Sequence, residues 1–165
     1  GGGETGSALG ENVKYTVKVN VWNEPTAGEV ARRQLEGSWL AQKVETKYTF
    51  PDDYPGTQYS DMVREDPDEV RKFFNGNGFY QFTVDNKYMI HMTTPEGVTV
   101  KSKMTVDDAG NIYLEAFKKA DGSYDIVPVI QEVDDDNNKA ITYILYTYTN
   151  TYDDVEYEYT RKDRL

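Results

Sequence analysis

The sequence Gly37-Ser38-Trp39 opens the first of eight strand-like segments that follow one another to the end of the chain. The first segment covers 38–50, and the last, 155–162, contains Arg161. The six segments between them are 79–84, 87–94, 98–106, 111–118, 123–133 and 140–149. Most are joined by short turns such as Asp121-Gly122, and short connections make consecutive strands antiparallel neighbours. Eight such strands, each with an apolar face, can remove both sheet edges by closing into an up-and-down β-barrel.

The strands therefore predict an all-β fold, an eight-stranded antiparallel up-and-down barrel. A two-sheet sandwich also suits short strands and regular turns, but the meander order favours the barrel.

An extra strand at 13–22 alternates Val and Tyr with polar residues, and the barrel has no place for it. Two short helices are expected. One begins at Thr26, which forms a capping box with Glu29, and the other covers about 67–74 after Asp66.

The chain length of 165 residues predicts one domain. Residues 1–12 are Gly-rich and are expected to form a flexible N-terminal tether, and 13–165 form the barrel domain. The long excursion at 51–78 is a candidate lid over the barrel mouth, because long loops are often functional.

Composition restricts the partners. The net charge of -11 argues against duplex nucleic acid and against an anionic membrane surface, both of which require clustered Lys and Arg. The sequence has no apolar run of about 18 residues, so we expect no direct membrane insertion. It also has no cysteine, and therefore no disulfide framework.

The sequence shows no motif for catalysis, a metal or a cofactor. His91 is the only histidine, and no nucleophile motif accompanies it, so a hydrogen-bonding role in the cavity or a surface role is favoured over a catalytic one. The acidic run 134–138 lacks the spacing of a calcium loop and is typical of a solvated hairpin. We expect a non-enzymatic protein.

A barrel of this kind has an interior that can hold a ligand, and strand alternation predicts which residues line it. The predicted inward-facing and ligand-binding residues are Leu40, Val44, Tyr80, Phe82, Met89, His91, Tyr113 and Tyr146. Choosing the opposite face of any strand exchanges its whole set. The many tyrosines at 143–159 could line the cavity or pack across strands.

Gly37-Ser38-Trp39 together with Tyr159-Thr160-Arg161 resembles the pattern of lipocalins and other calycins. The resemblance covers about 30–162 and is closest to lipocalin-like domains in envelope proteins of gut bacteroidetes. It implies structural roles for Gly37, Trp39 and Arg161, with the Arg161 guanidinium stacked on the Trp39 indole where the first and last strands meet.

The same resemblance implies a function and a location. The chain is expected to bind a small, partly apolar molecule, with lipid-like molecules among the candidates, by burying its apolar surface. The alternative is a structural or protein-interaction module whose barrel is filled with side chains. Similarity of the Gly-rich, acidic start to bacterial envelope lipoproteins implies a periplasmic or surface location and a lipid-anchored N-terminus.

Overall fold

The computed structural model describes residues 24–149 and 154–165, with the backbone alone for 141–149. The predicted tether at 1–12 and the predicted strand at 13–22 lie outside the described residues. What is described is mostly antiparallel β-structure with two helices, which is consistent with the predicted all-β class.

Ten strands are present in the described residues. They are β1 (Gly37–Leu40), β2 (Lys43–Thr49), β3 (Met62–Arg64), β4 (Gln81–Val84), β5 (Met89–Thr93), β6 (Thr99–Val106), β7 (Ile112–Leu114), β8 (Val129–Asp134), β9 (Lys139–Thr149) and β10 (Glu156–Arg164). Each of the eight predicted segments contains at least one of them. The short strand β3 comes from the predicted excursion.

Two segments are less regular than predicted. The segment at 111–118 leaves the strand after Leu114 and forms a 3-10 turn at Glu115–Phe117. The segment at 123–133 becomes a strand only at Val129.

The strands form two five-stranded antiparallel sheets rather than one continuous sheet. The first sheet has the order β1-β4-β5-β6-β7, and the second has the order β3-β2-β10-β9-β8. Neither sheet closes on itself among the described residues. The expected pairing of the first and last predicted segments is present, since β2 pairs with β10 from Lys43–Arg164 to Thr49–Glu158.

The chain passes from the first sheet to the second at Ala41 and Gln42. The Ala41 amide donates to Tyr80 O at 2.8 Å and continues the pairing of β1 with β4. The Gln42 amide donates to Arg164 O at 2.7 Å and begins the pairing of β2 with β10. This corner divides the predicted first strand, 38–50, between the two sheets.

A second set of backbone hydrogen bonds connects the sheets between β7 and β8. The Ile112 amide donates to Pro128 O at 2.7 Å, and the Ile130 amide donates to Gly110 O at 2.8 Å. An antiparallel bridge joins Asn111 to Val129. We call this contact the β7–β8 seam.

Helix α1 (Ala27–Gln34) begins as predicted, with a complete capping box. Thr26 Oγ1 accepts the Glu29 amide at 3.2 Å, and Glu29 Oε1 accepts the Thr26 amide at 3.1 Å. The helix packs against β6 and β8. Gly28 allows this contact, because a Cβ at that position would lie only 2.3 Å from Val106 O.

Helix α2 (Pro67–Phe73) also follows the prediction, with Asp66 as N-cap and Pro67 in the first turn. Val70 of this helix and Phe74, its C-cap, are buried in the core. Leu35, which follows α1, is buried in the same core between the sheets. The two helices therefore contribute apolar side chains to one shared core.

Candidate functional site

A cavity of about 130 Å³ lies in the core and is lined by side chains from both sheets. Most of its wall is apolar. The apolar lining residues are Leu35, Phe79, Phe82, Ile90, Met92, Met104, Ile112, Leu114, Phe117, Ile126 and Pro128. Asn77 and Gly78, from the end of the excursion predicted as a lid, border it as well. Whether this segment moves as a lid stays a prediction.

Two charged side chains of β10 form the polar part of the cavity wall. Arg161 is 9% exposed and Asp163 is 7% exposed. Arg161 Nε donates to Asp163 Oδ1 at 2.9 Å, and Arg161 Nη2 donates to Asp163 Oδ2 at 2.8 Å. Alternation along the strand places both side chains on the same face. The parallel hydrogen bonds are the geometry of a strong bidentate ion pair.

The same guanidinium holds the chain beyond α2. Arg161 Nη1 donates to Asn77 O at 3.0 Å, and Arg161 Cζ lies 5.4 Å from the Phe73 ring centroid and 5.1 Å from that of Phe74. Arg161 therefore ties β10 to the segment that borders the cavity.

The predicted stacking of Arg161 on Trp39 is wrong. The rings beneath the guanidinium are Phe73 and Phe74, and the Trp39 indole instead donates from Nε1 to Leu35 O at 2.7 Å. The corner at Ala41 is the reason, because it leaves Trp39 in the first sheet while β2 carries the pairing to β10. Trp39 and Arg161 are both buried in the core, which is consistent with structural roles.

In the first two predicted segments, 38–50 and 79–84, the predicted inward residues take different positions. Phe82 lines the cavity, and Val44 is fully buried but lies outside the cavity lining. Tyr80 packs against the core at its edge, 6.0 Å from the Arg71 guanidinium. Leu40 is 44% exposed, so its predicted inward facing is wrong. The corner changes the alternation, with Trp39 and Ala41 buried before it and Val44 buried after it.

The predicted facing is also wrong on β5. Ile90 and Met92 are buried and line the cavity, whereas Met89 and His91 lie on the opposite face. The segment KYMIHMTT contains apolar residues in both registers, so alternation alone did not decide between them.

The same error occurs on β7, where Ile112 and Leu114 line the cavity and Tyr113 faces away. Tyr113 instead donates its hydroxyl to Asp107 Oδ2 at 3.1 Å, and its ring lies 5.0 Å from that of Tyr124. The hydrogen bond to the Asp107 carboxylate raises the pKa of Tyr113 above its ordinary value.

His91 forms a half-exposed pair with Asp85 outside the cavity, at 3.2 Å between Nε2 and Oδ2. Asp85 also accepts the amides of Lys87 and Met89. The hydrogen bond from the Lys87 amide, with help from His91, holds the pKa of Asp85 below its ordinary value. These contacts stabilise the turn between β4 and β5, which agrees with a surface role for His91.

The side chain of Tyr146 lies outside the described residues; its backbone pairs with Tyr159. Neighbouring tyrosines of the second sheet pack ring against ring. Tyr48 lies 5.0 Å from Tyr159, and Phe50 lies 4.9 Å from both Tyr54 and Tyr157. For Tyr157 and Tyr159 this is the cross-strand packing that the sequence left open as an alternative to ligand contact.

Sequence reasoning missed the polar part of the cavity and most of its apolar wall. Asp163 follows Arg161 by two positions in a strand, so a shared face and an ion pair could have been read from that spacing. Phe117 and Pro128 lie on irregular backbone, where no alternation exists to place them.

Within residues 24–149 and 154–165, no cluster of acidic, His or Cys side chains has the arrangement of a metal site. No helix in that part of the chain is long and apolar enough to cross a bilayer. Comparisons with protein-family models, curated proteins and solved structures find no match to this chain.

Proposed function

We propose that this chain is a non-catalytic binding domain that holds a small, partly apolar molecule in the cavity. The observation that supports this function best is the cavity of about 130 Å³, whose wall is apolar except for the Arg161–Asp163 pair and the chain near Asn77. Removing apolar ligand surface from water contributes about 25 cal/mol per Å². A few polar groups in such a wall fix the orientation of the ligand.

We also propose that the two sheets are the halves of one flattened, lipocalin-like barrel around this cavity. The corner at Ala41 and Gln42 and the β7–β8 seam support this arrangement, because they supply backbone hydrogen bonds at two places between the sheets. A closed barrel would enclose the ligand and leave few edges exposed.

The test is binding of toluene, a small apolar probe, followed by protein-detected NMR. We expect shifts that saturate for resonances of the cavity residues. Ile126 is half-buried and lines the cavity, so Ile126→Trp should fill it and weaken toluene binding at least about tenfold. Val98→Trp is the matched control, because Val98 is 58% exposed and lies away from the cavity. Equal toluene affinity in both variants would contradict the proposed site.

A second candidate function is a structural or protein-interaction module. One observation favours it: the cavity is smaller than the 300–1,000 Å³ of typical ligand pockets. Absence of binding by toluene and related small molecules would favour this function. The envelope location and the lipid-anchored N-terminus stay predictions from the sequence.

A further inference from the structure

We propose that the ligand group held in the cavity is a neutral aromatic ring that carries a hydrogen-bond donor, of which phenol is the simplest example. This inference rests on the proposed binding function and names the chemical class that the cavity accepts. Three properties of the wall lead to it: the remaining acceptor capacity of Asp163, the neutral charge of the ion pair, and the size and composition of the apolar lining.

The Asp163 carboxylate favours a ligand that donates a hydrogen bond. An ionised carboxylate has about four lone-pair sites on two oxygens and donates nothing. Within the described residues its only hydrogen-bonding partner is Arg161, which uses one site on each oxygen. Asp163 lines the cavity, so a ligand hydroxyl or N–H can donate to it. A ligand with acceptors alone gains nothing from this carboxylate.

The ion pair selects against charged ligands. Arg161 and Asp163 carry opposite charges and lie in a buried, bidentate contact. An anionic ligand beside them would approach the Asp163 carboxylate, and a cationic ligand would approach the Arg161 guanidinium. Either ligand would also lose its hydration, and a buried charge without its own partner is costly. A neutral ligand avoids both costs.

The apolar lining suits a single aromatic ring. A cavity of about 150 Å³ can take up benzene, and this one is of similar size. Phe79 and Phe117 line it with ring centroids 6.2 Å apart, and Phe82 adds a third ring. Met92 and Met104 place thioethers in the same wall, and sulfur–aromatic contacts are favourable. The wall therefore offers ring and sulfur contacts that a bound aromatic group can use.

The first test uses the unmodified protein with five probes: toluene, anisole, phenol, benzoate and benzylammonium, each titrated at neutral pH and followed by NMR. We expect phenol to bind about tenfold more tightly than anisole, because only phenol donates to a charged acceptor. Benzoate and benzylammonium should bind more weakly than phenol. Equal or tighter binding of anisole, benzoate or benzylammonium would overturn the inference while toluene binding upholds the proposed function. No binding by any probe would overturn both.

The second test changes the acceptor. Asp163→Asn replaces the charged acceptor by a neutral amide, so the preference for phenol over anisole should shrink. Asp136→Asn, on an exposed turn away from the cavity, is the charge-matched control and should leave all ratios unchanged. An unchanged phenol preference in Asp163→Asn would overturn the role of Asp163. If that variant does not fold, the five-probe comparison on the unmodified protein decides.

Discussion

At the scale of single residues, Gly28 is where helix α1 comes close to the backbone of β6. A Cβ there would lie 2.3 Å from Val106 O and 2.8 Å from Asp107 O, both of which are backbone atoms. We expect Gly28→Ala to lower the free energy of unfolding by about 1–3 kcal/mol, because α1 must move away from β6. Chemical denaturation measures the change.

Helix propensity alone would make Gly28→Ala stabilising, so the sign of the measured change distinguishes propensity from steric conflict. Ala is favoured over Gly by about 1 kcal/mol in a helix without steric conflict. The neighbouring Ala27→Gly variant changes an exposed position of α1 and measures that propensity alone. A stabilised Gly28→Ala protein would contradict the close packing.

The ion pair in the cavity wall should behave as a unit. We expect Arg161→Ala to destabilise the protein by about 3–5 kcal/mol, because it leaves the Asp163 carboxylate buried without its counter-charge. Replacing both residues by apolar ones, Arg161→Met with Asp163→Leu, should cost much less than the sum of the single changes. Urea denaturation of the double-mutant cycle tests this, and additive losses would show that the two side chains act independently.

Asp107 should contribute to stability in a pH-dependent way. It accepts the amides of Ala109 and Asn111, the Asn111 side chain and the Tyr113 hydroxyl, and the bond from the Asn111 side chain is the main cause of its lowered pKa. Because the folded pKa lies below the ordinary value of 3.8, the carboxylate stabilises the fold above that pH. The contribution is lost as the pH falls through the lowered folded value.

Melting temperatures of Asp107→Asn and the unmodified protein across the acid range test this. We expect the variant to melt lower at neutral pH and to lose less on acidification, so that the two curves converge at low pH. The amide nitrogen of Asn cannot accept the Asn111 hydrogen bond. Asp136→Asn controls for the change in net charge, and parallel curves would contradict the role of Asp107.

At the scale of elements, strand alternation predicted where the strands lie better than which way they face. Both helix starts were correct, because Thr26 and Asp66 are local capping signals that need no tertiary information. Which alternating side chains of β5 and β7 point into the core depends on how the rest of the core packs. The corner at Ala41 shifts the alternation within one predicted strand, and no sequence signal marked that shift.

The facing of β5 can be tested by paired truncations on the same strand. We expect Ile90→Ala to destabilise the protein by about 2–5 kcal/mol, because Ile90 is buried beside the cavity. Met89→Ala, on the opposite half-buried face, should cost about 1 kcal/mol. Thermal denaturation measures both, and a larger loss for Met89→Ala would return the strand to its originally predicted register.

At the scale of the whole molecule, the β7–β8 seam decides whether the sheets act as one barrel. If they do, the amides of Ile112 and Ile130, which donate across the seam, should exchange with solvent as slowly as amides inside either sheet. Hydrogen exchange followed by NMR measures this. Rapid exchange at both amides, with protection elsewhere in β6 and β9, would show two sheets that open independently.

The class of fold and the positions of the strands along the chain could be predicted, because hydrophobic alternation and turn residues can be recognised within short segments of sequence. The residues that line the cavity were much harder to predict. Phe82 was placed in it correctly, but Arg161 was assigned to the wrong aromatic partner, since Phe73 and Phe74 come from the excursion, whose position in space depends on the whole fold. The size of the space between side chains is a property of packing that no pattern in the sequence expresses.

The pairing of β2 with β10 has a consequence for how the protein is made. These strands lie near opposite ends of the described sequence, and contacts between distant segments form slowly because a long loop must close first. During synthesis β2 leaves the ribosome long before its partner exists. For that interval one edge of β2 is an open template for other chains, so this protein should depend on rapid completion of translation, or on a chaperone, more than a fold of local contacts would.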